Sequence, residues 1–410
     1  MDLRYSDEEE AFRADLRAWL AEVLPHVPPA PRRDDWEGRR AYDTAWQRTL
    51  YDGGYAGIHW PAEYGGRGAT PAEHLIFLEE TARARAPYVG QNFVGLLHAG
   101  PTLIAAATPE QKAFHLPGIL KGEHVWCQGF SEPEAGSDLA SLRTRAVRDG
   151  DDYVISGQKI WTSFGHTADY CEMLVRTDPD ATKHRGISWL ILPMGLEGMD
   201  VRPLRTMEGS TEFCEVFFDE VRVPVANRVG AENDGWRVTM VTLSFERGTA
   251  FVSEMLQSME LVRDLAALAK DVTRHGAAAW DDRGLRRDIG RIAAELDALW
   301  ALTKRNISQA QRTGLVGPGG NVFKLAYAEL RGRLGDLAMH VLDRAALSID
   351  DVPSRDGTLP THRHVSWRIH ALSLSIAAGT SQVQRNIVAE RVLGMPKEPP
   401  PAAATAGGGR

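Results

Sequence analysis

LRTRAVRDGDDYVISGQKIWTS (residues 142–163) is where the character of the chain changes. Upstream, apolar residues recur every three or four positions. Here they alternate, β-branched residues accumulate, and Asp149-Gly150 marks a hairpin between two short runs. CEMLVRT (171–177), GISWLILP (186–193), MDVRPL (199–204) and CEVFFDEVRVP (214–224) keep the strand spacing to about Gly230. A β region of several strands is therefore expected in the middle of the chain.

Both flanks read as helix. Ser6 with Glu9 forms an S-x-x-E capping box ahead of Phe12, Leu16, Trp19, Leu20 and Val23, one apolar stripe that Pro25 ends. Further helices are expected over 71–87 and 91–107, with another starting at Thr108 or Pro109. Downstream, GWRVTMVTLSFERGTAFVSEMLQSMELVRDLAALAK (235–270) contains few breakers, and helical segments follow over 285–313, 319–349 and 362–394. These suggest a four-helix bundle. The fold class expected is α+β multidomain. Residues 1–123 form an N-terminal helical domain, 124–232 a central β domain and 233–395 a helical bundle. The Pro/Ala/Gly-rich 396–410 forms a disordered tail.

Composition narrows the function. The 410 residues exceed what one hydrophobic core serves. Lys and Arg total 47 against 55 Asp and Glu, a formal charge of −8, which argues against a nucleic-acid partner. No apolar run reaches the roughly 20 residues of a membrane span. The acidic start MDLRYSDEEE reads as neither signal nor transit peptide. Cys127, Cys171 and Cys214 are odd in number and widely spaced, which fits reduced thiols in a cytoplasm.

Familiar catalytic signatures are absent. There is no G-x-G-x-x-G after a strand, no P-loop and no H-E-x-x-H; GPGG (317–320) reads as a loop, and His362 with His364 lacks a third ligand, so no metal site is expected. Four segments stand out instead. WCQGFSEPEAGSD (126–138) gathers hydroxyls, acids and glycine between a helical region and a strand. GQKIWTSFGH (157–166) sets a tryptophan beside two hydroxyls at a strand end, able to stack on a ring and bond its edge or to close the β core. LSFERGTA (243–250) places Glu246 on one face with Leu243 and Ala250, costly unless the acid is paired or functional. SIAAGTSQVQRNIVAERVLG (375–394) is interrupted at Gly379-Thr380, where Thr380 can cap the next helix. By spacing alone, each also reads as an ordinary linker, strand end, solvated pair or helix joint.

Together, in this order, the four segments resemble the acyl-CoA dehydrogenase family over about residues 3–395. QGFSEPEAGSD is similar to its first signature, GQKIWTS to its flavin-stacking strand, FDEVRVPVANRVG to its β-domain exit and AGTSQVQRNIVAERVLG to its C-terminal signature. The resemblance implies FAD between a β-barrel-like domain and a C-terminal four-helix bundle. It implies cofactor contacts from Gln128, Phe130, Ser131, Trp161, Thr162, Ser163, Thr380 and Gln382, with Ser137 facing CoA. It also implies an acyl-CoA substrate and an electron-transferring flavoprotein as acceptor.

The departures matter as much. Most members carry a glutamate before the Gly-Thr of the C-terminal signature, where this chain has Ala378. In the isovaleryl-CoA and long-chain branches the base comes from the long helix, just before an arginine, and Glu246-Arg247 matches that placement. Glu246 is thus the implied base, and Arg247 supports the site's charge and the substrate. The usual Arg-x-x-Phe-Gly and Gln-x-x-Gly-Gly-x-Gly stretches for the FAD adenosine end are missing; DVTRHGAAAWDDRGLRRD (271–288) and GDLAMHVLDRAAL (335–347) stand in those regions. At least a dimer is expected, either a homodimer or homotetramer or a heterotetramer with a related chain. The alternatives are a half-site or non-catalytic subunit and an acyl-CoA oxidase-type relative. The small residues of YVGQNFVGLLHAG (88–100) serve either a wide acyl pocket or close packing.

Overall fold

The computed structural model describes residues 4–246, 251–313, 319–354 and 357–397. Arg247, Ala250, Gly317 and Pro318 of the segments singled out above, and the tail from Glu398, lie outside these residues. The N-terminal part is helical: α1 (Asp7–Val23), α2 (Trp36–Asp52), α3 (Pro71–Arg83), α4 (Gly100–Ala106) and α5 (Pro109–Lys121). The Ser6–Glu9 capping box forms, as do two more at Thr70–Glu73 and Thr108–Gln111. A π-turn over Gly95–Ala99 leads directly into α4, so the expected helix 91–107 forms with a π-turn inside it. Its glycines serve packing: a Cβ at Gly100 would stand 2.1 Å from the Trp60 ring, and one at Gly90 2.1 Å from the Asp43 carboxyl.

The middle of the chain forms one eight-stranded sheet. Its strands are β1 (Trp126–Gly129), β2 (Arg145–Asp149), β3 (Asp152–Ser163), β4 (Tyr170–Arg176), β5 (Ile187–Pro193), β6 (Met199–Leu204), β7 (Phe213–Pro224) and β8 (Arg228–Val229). The order is β6-β7-β3-β2-β4-β5-β8, with β1 alongside β4. The hairpin expected at Asp149-Gly150 joins β2 to β3, with Asp149 opposite Asp152 and Gly150 in the left-handed region. Tyr153, Ile155, Leu190, Leu192, Val216 and Val221 fill its inner face with the three cysteines, all free and buried.

The C-terminal part is a bundle of α7 (Val252–Asp271), α8 (Arg283–Thr313), α9 (Gly319–Leu342) and α10 (Thr361–Leu374), with α6 (Gly235–Glu246) before it and α11 (Ser381–Ile387) after it. Cores cross the three parts. Leu75 of α3 lies in the bundle core, and Val238 of α6 lies in the core that the N-terminal helices share with Trp189 and Ile191 of β5. The buried Thr102 hydroxyl of α4 meets that of Thr242 on α6 at 2.8 Å. This holds the helix that ends at Glu246 against the N-terminal part. No described helix is long and apolar enough to cross a membrane. His362 bonds the Ile349 carbonyl through Nδ1 at 2.8 Å, while His364 is buried.

Burial sets the acid limit of this fold. Desolvation pushes His59 to about 4, His74 to about 3 and His115 and His364 to about 4. Their folded values lie below the unfolded one, so acid favours the unfolded chain. The stability they contribute is complete above pH ~6.5 and is lost as pH falls toward 4, at about 1.4 kcal/mol per pH unit for each proton taken up. The urea midpoint is expected to drop steeply across that window; a midpoint unchanged from pH 7 to 4.5 would contradict the assignment.

Candidate active site

The segment 126–138 and the end of β3 are joined by one buried ion pair. Lys159 is fully buried, and its Nζ donates to Glu132 Oε1 at 2.8 Å and to the Phe130 carbonyl at 3.1 Å. The Glu132 carboxylate also accepts from the Arg143 and Thr144 amides, at 2.6 and 2.9 Å. Burial pushes the Glu132 pKa upward, but the Lys159 charge and these hydrogen bonds outweigh it and hold the carboxyl below its ordinary value. Burial also lowers Lys159, against the pull of Glu132. The loop closes through paired Glu132–Ala135 main-chain bonds, and Ile160 donates its amide to the Ser131 carbonyl at 3.0 Å. Loop and strand are thus one unit.

Two residues after the lysine, β3 bulges. Lys159 pairs with Val216 and Thr162 with Cys214, so one extra residue sits on β3, and Trp161 has φ +62. A bulge re-aims its side chain out of the pleat, and the Trp161 indole is 57% exposed, edge-on to Phe213 at 5.9 Å. A non-glycine residue in the left-handed region costs about 1–3 kcal/mol and persists where its surroundings enforce it. Beside it the Thr162 hydroxyl is buried with no hydrogen-bond partner among the described residues. Ser131 and Ser163 are half-buried, and Phe130 is buried. The Gln128 amide is turned inward to Glu172 Oε1 at 2.8 Å. Ser137 is exposed next to Gly136, where a Cβ would meet nothing within 4 Å.

The C-terminal signature makes a second edge. Thr380 caps α11 by accepting from the Val383 amide, and Gln382 is exposed on its first turn. Ala378 and Gly379 both adopt positive φ. Lys324 of α9 pins this turn by donating to the carbonyls of Leu374 and Gly379 at 2.8 and 2.7 Å, and burial lowers its pKa to about 8. The Ala378 methyl offers no proton acceptor. Glu246 is the last residue of α6, and Arg247 lies outside the described residues.

Sequence reasoning missed the acids and cations deeper in. The Phe164 amide, one residue past Ser163, donates to the Glu212 carbonyl at 2.6 Å. Desolvation raises the Glu212 carboxyl, with His370 countering it; desolvation likewise raises Glu254 of α7, countered by His370 and then Arg331. The Tyr88 phenol is raised by desolvation and by Glu254, although Tyr88 is 43% exposed. His370 thus acts electrostatically on both Glu212 and Glu254, and Glu254 acts on Tyr88. The signal available in the sequence was Lys159, a lysine at an inward position of an alternating strand.

Comparison with known proteins gives the class. Three family profiles match in chain order: acyl-CoA dehydrogenase, N-terminal domain over residues 6–123, middle domain over 127–221 and C-terminal domain over 233–393. The chain belongs to the acyl-CoA dehydrogenase family, oxidoreductases that dehydrogenate acyl-CoA thioesters and are generally FAD-dependent. It is 39% identical over 401 residues to acyl-CoA dehydrogenase IpdE1 of Mycobacterium tuberculosis, covering 95% of this chain and 98% of that one. Among solved structures it is similar to a chain of the Tcur3481-Tcur3483 steroid ACAD, with 33% identity, TM-score 0.82 and 97% and 100% of the two chains covered. It is also similar to a chain of the ChsE4-ChsE5 complex from Mycobacterium tuberculosis, with 35% identity, TM-score 0.82 and the same coverage.

Lys159→Met leaves the Glu132 carboxylate buried without its cation and is expected to cost about 3–5 kcal/mol. Adding Glu132→Gln should recover most of it. Thermal midpoints of the three proteins give the coupling, and additive effects would count against the pair.

Proposed function

We propose that the protein catalyses FAD-dependent α,β-dehydrogenation of an acyl-CoA thioester to the trans-2-enoyl-CoA, with Glu246 taking the α-proton. The observation that carries this is the Trp161 indole, turned off β3 by a bulge beside the buried, unpartnered Thr162 hydroxyl. A flat ring with a polar edge answers both, stacking on the indole and bonding along its rim. Gln128, Phe130, Ser131, Trp161, Thr162, Ser163, Thr380 and Gln382 would hold FAD. When bound, FAD supplies the acceptor for the hydride leaving the β-carbon.

The proton is the chain's own task. A thioester α-proton is weakly acidic, so its removal needs a carboxylate held close and away from water. Ala378 cannot serve; the family likeness points to Glu246, on a helix that meets α4 through the Thr102–Thr242 bond. Arg247 adds positive charge that favours the ionised carboxylate. Ser137, on the open side of its loop, would meet CoA. The likeness to a steroid ACAD supports a bulky, ring-bearing acyl group, and an electron-transferring flavoprotein is the proposed acceptor. The three working units are residues 1–123, 124–232 and 233–395, and the proposed compartment is the cytoplasm.

A second reading concerns assembly. Short hairpins at Thr273–Ala278 and Val352–Leu359 stand in or beside the regions where the family usually binds the FAD adenosine end. The ChsE4-ChsE5 neighbour belongs to a two-chain complex. An unlike, related chain completing the FAD site is therefore the proposed partner, and the chain would then be one half of a heterotetramer. Well-flavinated, active protein from this chain expressed alone would overturn that partner requirement.

Glu246→Gln is expected to retain flavin and to slow anaerobic bleaching of the flavin by acyl-CoA by about 10²–10⁴-fold. Bleaching at the wild-type rate would overturn the base assignment.

A further inference from the structure

The bundle holds a buried cation short of acceptors. Arg331 of α9 is 1% exposed, with its guanidinium carbon 3.8 Å from the centroid of the Trp367 ring. Its Nε and Nη1 have no hydrogen-bond partner among the described residues. Five N–H donors in a desolvated guanidinium are costly to leave unmet. The charges of Arg331 and of Glu254 on α7 act on each other, although Glu254 makes no ion pair among the described residues. Glu254 and Ser258 lie one turn apart on a common face of α7, as Tyr327 and Arg331 do on α9. The two faces are joined where the Ser258 hydroxyl meets that of Tyr327 at 3.0 Å. Tyr88, 43% exposed, feels the Glu254 charge.

We propose that this cluster of Arg331, Glu254, Tyr327 and Tyr88 is a specificity pocket for a neutral oxygen function, a hydroxyl or ketone, on the part of the acyl group remote from the thioester. The inference rests on the acyl-CoA dehydrogenase reading and deepens it. Glu254 lies on α7, whereas the proposed base Glu246 ends α6. A purely apolar acyl end would displace water and leave both charges unpaired. A carboxylate would be repelled by Glu254, and an ammonium group by Arg331. A ketone oxygen accepts from Arg331 and Tyr88; a hydroxyl does the same and also donates to Glu254.

The test compares three CoA thioesters with one carbon skeleton: plain, hydroxylated and ketonic at the remote end. Anaerobic flavin reduction is followed with the flavin-loaded protein, together with its partner chain if one is needed. The oxygenated thioesters are expected to exceed the plain one in kcat/KM by about tenfold or more. Arg331→Met should collapse that ratio toward unity for both. Glu254→Gln should lower it mainly for the hydroxylated thioester. Tyr88→Phe, at the open rim, keeps the test alive if Arg331→Met does not fold. A wild-type ratio near unity, or a ratio unchanged in every variant that folds, overturns the pocket. If no thioester bleaches the flavin, the dehydrogenase reading fails instead. Calorimetric affinities of the same three compounds then decide the pocket alone: preference for the oxygenated pair supports it, and equal binding overturns it.

Discussion

The Lys159–Glu132 ion pair is the contact on which the site's geometry depends. A fully buried ammonium group is tolerable only with its charge and donors satisfied, and here a carboxylate and a main-chain carbonyl satisfy them. The carboxylate in turn gathers two loop amides. One desolvated pair therefore ties Phe130, Ser131 and Glu132 to the strand that bulges at Trp161. The left-handed residue lies two positions from a fully buried lysine with two hydrogen bonds. That is the surrounding constraint a left-handed tryptophan requires.

The bundle contributes through two further buried contacts. Lys324 holds the positive-φ turn at Ala378 and Gly379 from below, and the Thr102–Thr242 bond sets α6 against α4. With a methyl at Ala378, that turn can shape the site but cannot take a proton. The proposed base sits instead on a helix, which its neighbours position. Shared cores provide this, since Leu75 packs into the bundle and Val238 into the core of the N-terminal part. The residues proposed for the site come from the β domain and the bundle, and α6 is held against the N-terminal part.

Much of this architecture was readable in the chain. The capping boxes at Ser6, the cap at Thr108, the hairpin at Gly150 and the N-cap at Thr380 are local devices whose partners lie within four residues. The switch from helical to alternating periodicity was visible for the same reason. The π-turn at Gly95–Ala99 was not, and the glycines on either side of it answer to Trp60 and Asp43, far away in sequence. Tyr88, Glu254, Arg331 and His370 were also missed. Each is unremarkable in its own helix or loop, and the electrostatic coupling among them exists only after those segments pack.

The sequence by itself determined the order of helix, sheet and bundle, the four segments that carry the family likeness, and the absence of a carboxylate at Ala378. Residue type, caps and periodicity act over a few positions, so they survive reading without a fold. Tertiary structure alone decided that Lys159 pairs with Glu132 across 27 residues, that the Trp161 ring turns outward, and that the buried Arg331 has two nitrogens without a partner among the described residues. These depend on desolvation and strand register, which arise when distant segments exclude water together.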